Sequence, residues 1–262
     1  MEVSLGVALF EGSKNKPQLT AAARGLLPAL SAALDQIHAA VVATRVDGAR
    51  GTLDVACFDT FTVKWLIPRL YGFTALHPDI EVRLSTSGTA AEPGEGRCDL
   101  VITADDGQPQ GAEVLPLFPE RLGVVLSPSL AARFKKPLRA PKDLRGKPLL
   151  HTRTRRNAWQ MLADAFGCAP PDATGPEFAH YYFTLEAAVG GLGICAAPWH
   201  LVIDDLQAGR LVAPLGFRES GYRYVARRRP GLRNPRLDKF CDWLQAQAQL
   251  TPLPEEAERP SP

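Results

Sequence analysis

Apolar positions along the chain follow two different rhythms. From Leu19 they recur at intervals of three and four, through Ala23, Leu26, Leu27, Leu30, Leu34, Ile37 and Val41. This spacing puts them on one side of a helix, about six turns long at 3.6 residues per turn, with Thr20 as candidate N-cap. Such a single apolar stripe needs a partner surface. After Asp47-Gly48-Ala49-Arg50-Gly51, a hinge-like run, the rhythm changes. Strand-like stretches at 52–57, 80–85, 99–103, 123–126, 148–151, 193–197 and 222–227 alternate with helix-like ones. The helix-like stretches are the apolar run after residue 57, then 128–134, 157–166, 183–189 and 234–249, and Gly190-Gly191 suits a helix C-terminus. This alternation predicts an α/β domain with a parallel sheet and crossover helices.

Composition narrows the choice. A 262-residue chain that is 45% apolar can bury a substantial core, expected here as two lobes. Thirty basic and 28 acidic residues leave a net charge of +2, so no global polyanion signal exists. No run of 18 apolar residues predicts a transmembrane helix, and no membrane partner is expected. MEVSLGVALFEGSKNK, with an acid at position 2 and a short apolar run, does not read as a secretory signal. Five cysteines (57, 98, 168, 195, 241) without CxxC spacing argue against a disulfide framework or a metal site and fit a reducing, cytoplasmic setting.

The pieces GTLDVA, WLIPRL, HPDIEVRLSTS and DLVIT come in a telling order. After them stand LFPERLGVVLSPSLA, DLRGKPLLH, AAVGGLGICAAPWHLVIDDLQAGRLV and NPRLDKFCDWLQ. Together they resemble the effector-binding half of LysR-type transcriptional regulators over roughly residues 1–250. RLSTS and LLHTRTR-NAWQ are most similar to the branch with the regulators of glycine cleavage and of chromosomal β-lactamase. The resemblance implies a two-lobed, type 2 periplasmic-binding-protein-like sensor domain preceded by a long linker helix. It divides the chain into a remnant of a winged helix-turn-helix (1–17, the wing), a linker and dimerisation helix (18–46), the effector-binding domain (51–250) and a disordered tail (251–262). Lobe one takes about 51–117 and 222–250, and lobe two about 118–217. The recognition helix of the family's helix-turn-helix is largely absent, so base-specific DNA contact has no visible carrier here. The linker helix implies a homodimer or homotetramer; the alternative is that its stripe packs on the chain's own lobes.

In an open α/β sheet, ligands sit beyond the carboxyl ends of the strands. There stand Asp59, Thr60 and Phe61 after the first strand, Thr86 and Ser87 after the second, and Thr103 at the end of the third. The resemblance turns these positions toward the effector. Thr60 is also a candidate cap for the following helix, whose free amides would make an anion seat. In lobe two His151 ends a strand, and Tyr181, Tyr182 and Phe183 precede or open a helix; three successive aromatics exceed what packing alone needs. Arg121 follows the crossover and would either receive a carboxylate or pair with a surface acid. His151 reads more readily as a structural histidine than as a ligand contact. GYRYVARRRPGLRNPR holds six arginines, read as a charged edge strand and loop rather than a phosphate contact.

A catalytic role has one candidate, a Cys57–His151 nucleophile pair. A strand cysteine is usually buried and inert, and no nucleophile elbow, paired carboxylates or HExxH accompany it. The expectation is therefore no enzyme, no cofactor and no catalytic residue. The reading is the effector-sensing and oligomerisation part of a LysR-type regulator. The alternatives are a stand-alone binding protein of the same fold and a truncated inhibitor of full-length relatives.

Overall fold

The computed structural model describes residues 2–13, 16–44, 51–86, 98–106, 114–171, 174–229 and 234–254. Ser87, hinge residues 47–50 and the tail from 255 lie outside them. The chain forms two compact units, Met1–Gly48 with Gly231–Asn234, and Ala49–Pro230 with Pro235–Pro262.

The first unit begins with a short helix, Glu2–Leu5, and an antiparallel hairpin of β1 (Phe10–Ser13) and β2 (Lys16–Leu19). Its long helix spans Ala21–Thr44. Thr20 caps it: the hydroxyl accepts from the Ala23 amide at 3.2 Å and donates to the Ala8 carbonyl at 2.8 Å. An amide with no partner inside the helix is thereby satisfied. Along the apolar stripe Ala23 is buried, but Leu27 and Leu34 are 49% and 65% exposed.

The second unit is built on one six-stranded sheet in the order β4-β3-β5-β10-β6-β9. Its strands are β3 (Gly51–Cys57), β4 (Ile80–Thr86), β5 (Leu100–Asp105), β6 (Val114–Val125), β9 (Cys195–Pro198) and β10 (Phe217–Arg228). A separate parallel pair joins β7 (His151–Thr152) to β8 (Glu177–Phe178). The all-parallel expectation is corrected. Only β3 runs parallel to its neighbours, β4 and β5, while β10 is antiparallel to β5 and β6, and β6 to β9. The cause is the crossover. The chain leaves lobe one along β6 and returns along β10, so these two twelve-residue strands run in opposite directions and belong to both lobes. β10 is an inner strand, not an edge. Its Arg227 and Arg228 are balanced by Asp105 and Asp238, which disposes of the expected charged edge.

Helices fill the faces. One begins as Asp59–Phe61, passes through a π-turn at Thr62–Leu66 and continues as Ile67–Leu76. Its Phe61 stacks on Trp65 and Tyr224 at centroid distances of 5.0 and 5.3 Å, and Trp65 meets Phe118 edge-on at 5.4 Å. The last helix, Pro235–Leu250, closes lobe one through Phe240 and Trp243 against Phe73. Lobe two has its own core, with Leu122, Leu126, Leu149, Trp159, Leu162 and Ile194. There the Trp159 indole N–H reaches the Leu150 carbonyl at 2.9 Å, so the ring is buried without an orphaned donor.

Two helices depart from expectation. Tyr181–Val189 opens two residues early, because His180 is extended and takes the N-cap while the Tyr181 ring is drawn into the core. Trp199–Gln207 is absent from the sequence pattern altogether; extended Pro198 turns β9 directly into it. No helix of the described residues is long and apolar enough to cross a membrane.

Candidate functional site

A cavity of about 240 Å³ lies where the lobes meet. Its lobe-one wall comes from the end of β3 and the start of the 59–76 helix (Phe58, Asp59, Thr60, Phe61) and from Ala104 on β5. Lobe two contributes Thr154, Arg155, Asn157, Met161, His180 and Tyr181. The returning strand β10 supplies Tyr222 and Tyr224, and the 199–207 helix supplies Leu201. The walls are thus largely aromatic and aliphatic, with a few polar groups interspersed, the usual make-up of a small-molecule pocket.

Three helices begin on this cavity, and none has a side-chain cap: Phe58, Asn157 and His180 stand at their N-cap positions. The capping role expected of Thr60 is not realised, because the helix opens at Asp59 and Thr60 falls inside its first turn. The Thr62 hydroxyl instead donates to the Phe58 carbonyl at 3.0 Å and meets the Cys57 thiol at 2.6 Å. That contact anchors the π-turn; such turns recur at functional sites.

Beside the cavity lies a buried polar group. Glu120 of β6 is fully buried; its Oε2 accepts from the Arg155 guanidinium at 2.6 Å and from the Ser220 hydroxyl at 2.8 Å. Burial opposes the Arg155 charge, but Glu120 outweighs it, and the guanidinium stays cationic. Burial, then the negative charge of Glu120, pushes the Tyr224 phenol well above its ordinary range, so it remains a donor. His200, packed 4.3 Å from Phe118 and 4.4 Å from Tyr224, is lowered to about 3, by burial first and then by the charges of Arg155 and Arg69. Beside these two guanidinium groups, His200 is held neutral.

The lobes are also tied by contacts on and beyond the cavity wall. Asp59 and His180 approach at 3.2 Å across its mouth. Lys64, one turn along the 59–76 helix, reaches Glu186 at 2.8 Å and Asp205 at 3.2 Å, and Arg210 completes the group on Asp205 at 2.6 Å.

The residues singled out in the sequence are distributed unevenly around this site. Asp59, Thr60, Phe61 and Tyr181 come together on the cavity wall. The Tyr181 hydroxyl points away, donating to the Ala196 carbonyl, so only its ring faces the cavity. Tyr182 lies under the Lys64 ammonium at 5.4 Å, and Phe183 is half exposed beside it. Thr86 is exposed at the end of β4 opposite Cys57, and Thr103 is buried within β5. Arg121 pairs with Glu219 at 2.9 Å, the acid-pairing alternative of its two readings. His151 lines a separate, open depression with Arg156 and Glu177. It does not meet Cys57, whose thiol is pushed up to about 11 by burial, with Asp59 adding to the shift and the Thr62 contact opposing it. A protonated, buried thiol is no nucleophile. Sequence reasoning missed Arg155, Asn157, Met161, Leu201, Tyr222 and Tyr224 on the wall, and Glu120 behind it. The available signal was the acid Glu120, which with Arg121 interrupts the apolar run of β6: buried charges seek a partner.

Residues 47–249 match the family model described as LysR substrate binding domain. Among curated relatives, the HTH-type transcriptional regulator TrpI of Pseudomonas aeruginosa is 35% identical over 249 residues, covering 94% of this chain and 84% of that protein. The glycine cleavage system transcriptional activator of Escherichia coli is 31% identical over 215 residues, 82% of this chain and 70% of that protein. Among solved structures, the effector domain of the transcriptional regulator AmpR of Pseudomonas aeruginosa superposes with a TM-score of 0.64 at 30% identity, covering 76% of this chain and 96% of that one.

Proposed function

Since the chain belongs to the LysR family of transcriptional regulators and carries that family's effector-binding domain, we propose that the inter-lobe cavity is its effector seat. We also propose that a self-associated regulator reads the state of that seat through the long helix Ala21–Thr44. Relatives of this chain are transcriptional regulators, and its role is sensing, not catalysis. The division proposed is a wing remnant (1–17), a linker helix (18–46) and a sensor (51–250) with two lobes.

The observation that carries this reading is the cavity itself, where apolar walls from both lobes surround a few fixed polar groups. A small molecule held there touches both lobes and so favours one angle between them; a ligand shifts an equilibrium only by its differential affinity for the two states. Asp59, Thr60, Phe61 and the Tyr181 ring are the proposed contacts from the original set, joined by Arg155, Tyr222 and Tyr224. Leu27 and Leu34, exposed on one helix stripe, support self-association.

A thermal-shift screen of amino acids, aromatic acids and cell-wall peptide fragments tests the first part. A true effector stabilises the fold by about 2.7 kcal/mol at a hundred times its dissociation constant, and Thr60→Trp abolishes that gain. Ligand stabilisation untouched by Thr60→Trp places binding elsewhere. For the second part, light scattering shows a dimer or larger, and Leu27→Glu with Leu34→Glu lowers the mass; a monomeric wild-type chain at micromolar concentration refutes it.

A further inference from the structure

Between the pairs Arg121↔Glu219 and Pro119↔Arg223, a single residue of β6, Glu120, faces three of β10: Ser220, Gly221 and Tyr222. The two strands that cross from lobe to lobe therefore carry a bulge at the level of the cavity. Bulges bend a strand and re-aim its side chains, and they recur beside functional sites. Gly221 holds the bulge with φ +84°, in the left-handed region that suits glycine.

The bulge is held by one hydrogen-bonded chain. The Tyr222 amide donates to the Ser220 hydroxyl oxygen at 3.2 Å, that hydroxyl donates to Glu120 Oε2 at 2.8 Å, and Arg155 Nη2 donates to the same oxygen at 2.6 Å. Arg155 also lines the cavity, and so does Tyr222. Guanidinium offers five N–H donors in a rigid fork; from Nη2, Arg155 reaches Glu120 Oε2 and, at 3.8 Å, the Met161 sulfur. Asp59, the acid on the opposite wall, is occupied by His180 at 3.2 Å.

We propose that the effector bears a carboxylate or comparably compact anion received by Arg155, and that its arrival is transmitted to the crossing strands through Glu120 and Ser220. This rests on the reading of the cavity as the effector seat. Two negative groups then share one guanidinium. The Arg155–Glu120 bond weakens as the ligand bond forms, the Ser220 hold on the bulge changes with it, and the angle between lobes is reset at its pivot. The cavity favours an apolar or aromatic acid, because the side chains of Phe58, Phe61, Met161 and Leu201 line much of its wall.

The test uses the full chain and matched probes: benzoate, phenylacetate and cyclohexanecarboxylate against their neutral amides, followed by ligand-observed NMR and hydrogen exchange over 217–224. Acids are expected to bind at least about tenfold more tightly than amides, the effect of one charge-assisted hydrogen bond. Exchange around the Tyr222 amide should change on binding. Removing Arg155 alone strands a buried carboxylate and threatens folding, so the variant is Glu120→Gln with Arg155→Met, beside Thr154→Trp, which crowds the cavity mouth. Both should abolish binding of the acids. Acid preference surviving in the double variant while Thr154→Trp abolishes binding overturns the Arg155 assignment and leaves the effector seat standing. Binding indifferent to Thr154→Trp and to the double variant removes the seat as well. No acid bound, or amides bound equally well, overturns the anionic class. Unchanged exchange over 217–224 overturns the transmission.

Discussion

Two charged groups join the lobes of this sensor, and they are built on opposite principles. Arg155, Glu120 and Ser220 sit against the cavity, with the carboxylate fully buried, Arg155 and Ser220 partly buried, and Arg155 the cation paired with Glu120 among the described residues. Lys64, Glu186, Asp205 and Arg210 form a chain at the rim, where Glu186 and Arg210 are 44% and 52% exposed and Asp205 has two cations. In the first, among the described residues, Arg155 and Glu120 are each other's counter-charge. In the second, loss of one partner leaves another in place, and water screens the rest. The interior pair is therefore suited to carry a signal and the rim group only to steady the lobes.

The comparison breaks most sharply at Arg155. Arg155→Met leaves Glu120 buried without a counter-charge, a situation worth about 3–5 kcal/mol, whereas Glu120→Gln with Arg155→Met should recover much of that loss. Urea unfolding decides; a single variant no less stable than the double one would show that water reaches Glu120 despite its burial. Protons probe the same burial. Because His200 falls to about 3 inside the fold and returns to about 6.5 when unfolded, the unfolded chain takes the proton first. Its contribution is complete above pH 6.5 and drains at up to about 1.4 kcal/mol per pH unit as pH falls toward 3. His200→Phe should flatten that part of the stability–pH curve, and a curve left unchanged would refute the assignment.

Smaller effects belong to the rim. Lys64→Met should cost about 1 kcal/mol and less in high salt, since Arg210 still balances Asp205. A loss matching that of Arg155→Met would erase the distinction between the two groups. Glu186→Gln should change stability by no more than about 0.5 kcal/mol, as exposed pairs do, leaving its unfolding midpoint within error of the wild type.

What was readable in advance follows the same division. β3, β4 and β5 announce themselves by local apolar runs, and Thr20 announces its helix by position. The strand ends and the family resemblance also marked Asp59, Thr60, Phe61 and Tyr181, which line the cavity from both lobes. Arg155 and Glu120 could not be found that way, for they meet across 35 residues, and Ser220 joins Glu120 across 100. The antiparallel course of β10 is equally non-local, set by where lobe two hands the chain back. The start of the Tyr181–Val189 helix is legible in the sequence only to within two residues; burial of the Tyr181 ring draws its first turn in. The 199–207 helix escaped notice because its apolar start continues that of β9 without a break.

The pairing of Gly123 with Phe217 has a further consequence. The chain between them departs from β6 and rejoins β10 at two neighbouring positions, about 5 Å apart as adjacent strands are, and brings β9 with it as the edge strand beside β6. Lobe two is thus, topologically, a cassette plugged into a continuous host by two adjoining stems. Recombination needs only two junctions, both inside regular strands, to exchange that cassette for one with another taste in ligands while β3, β4, β5 and the closing helix stay as they are.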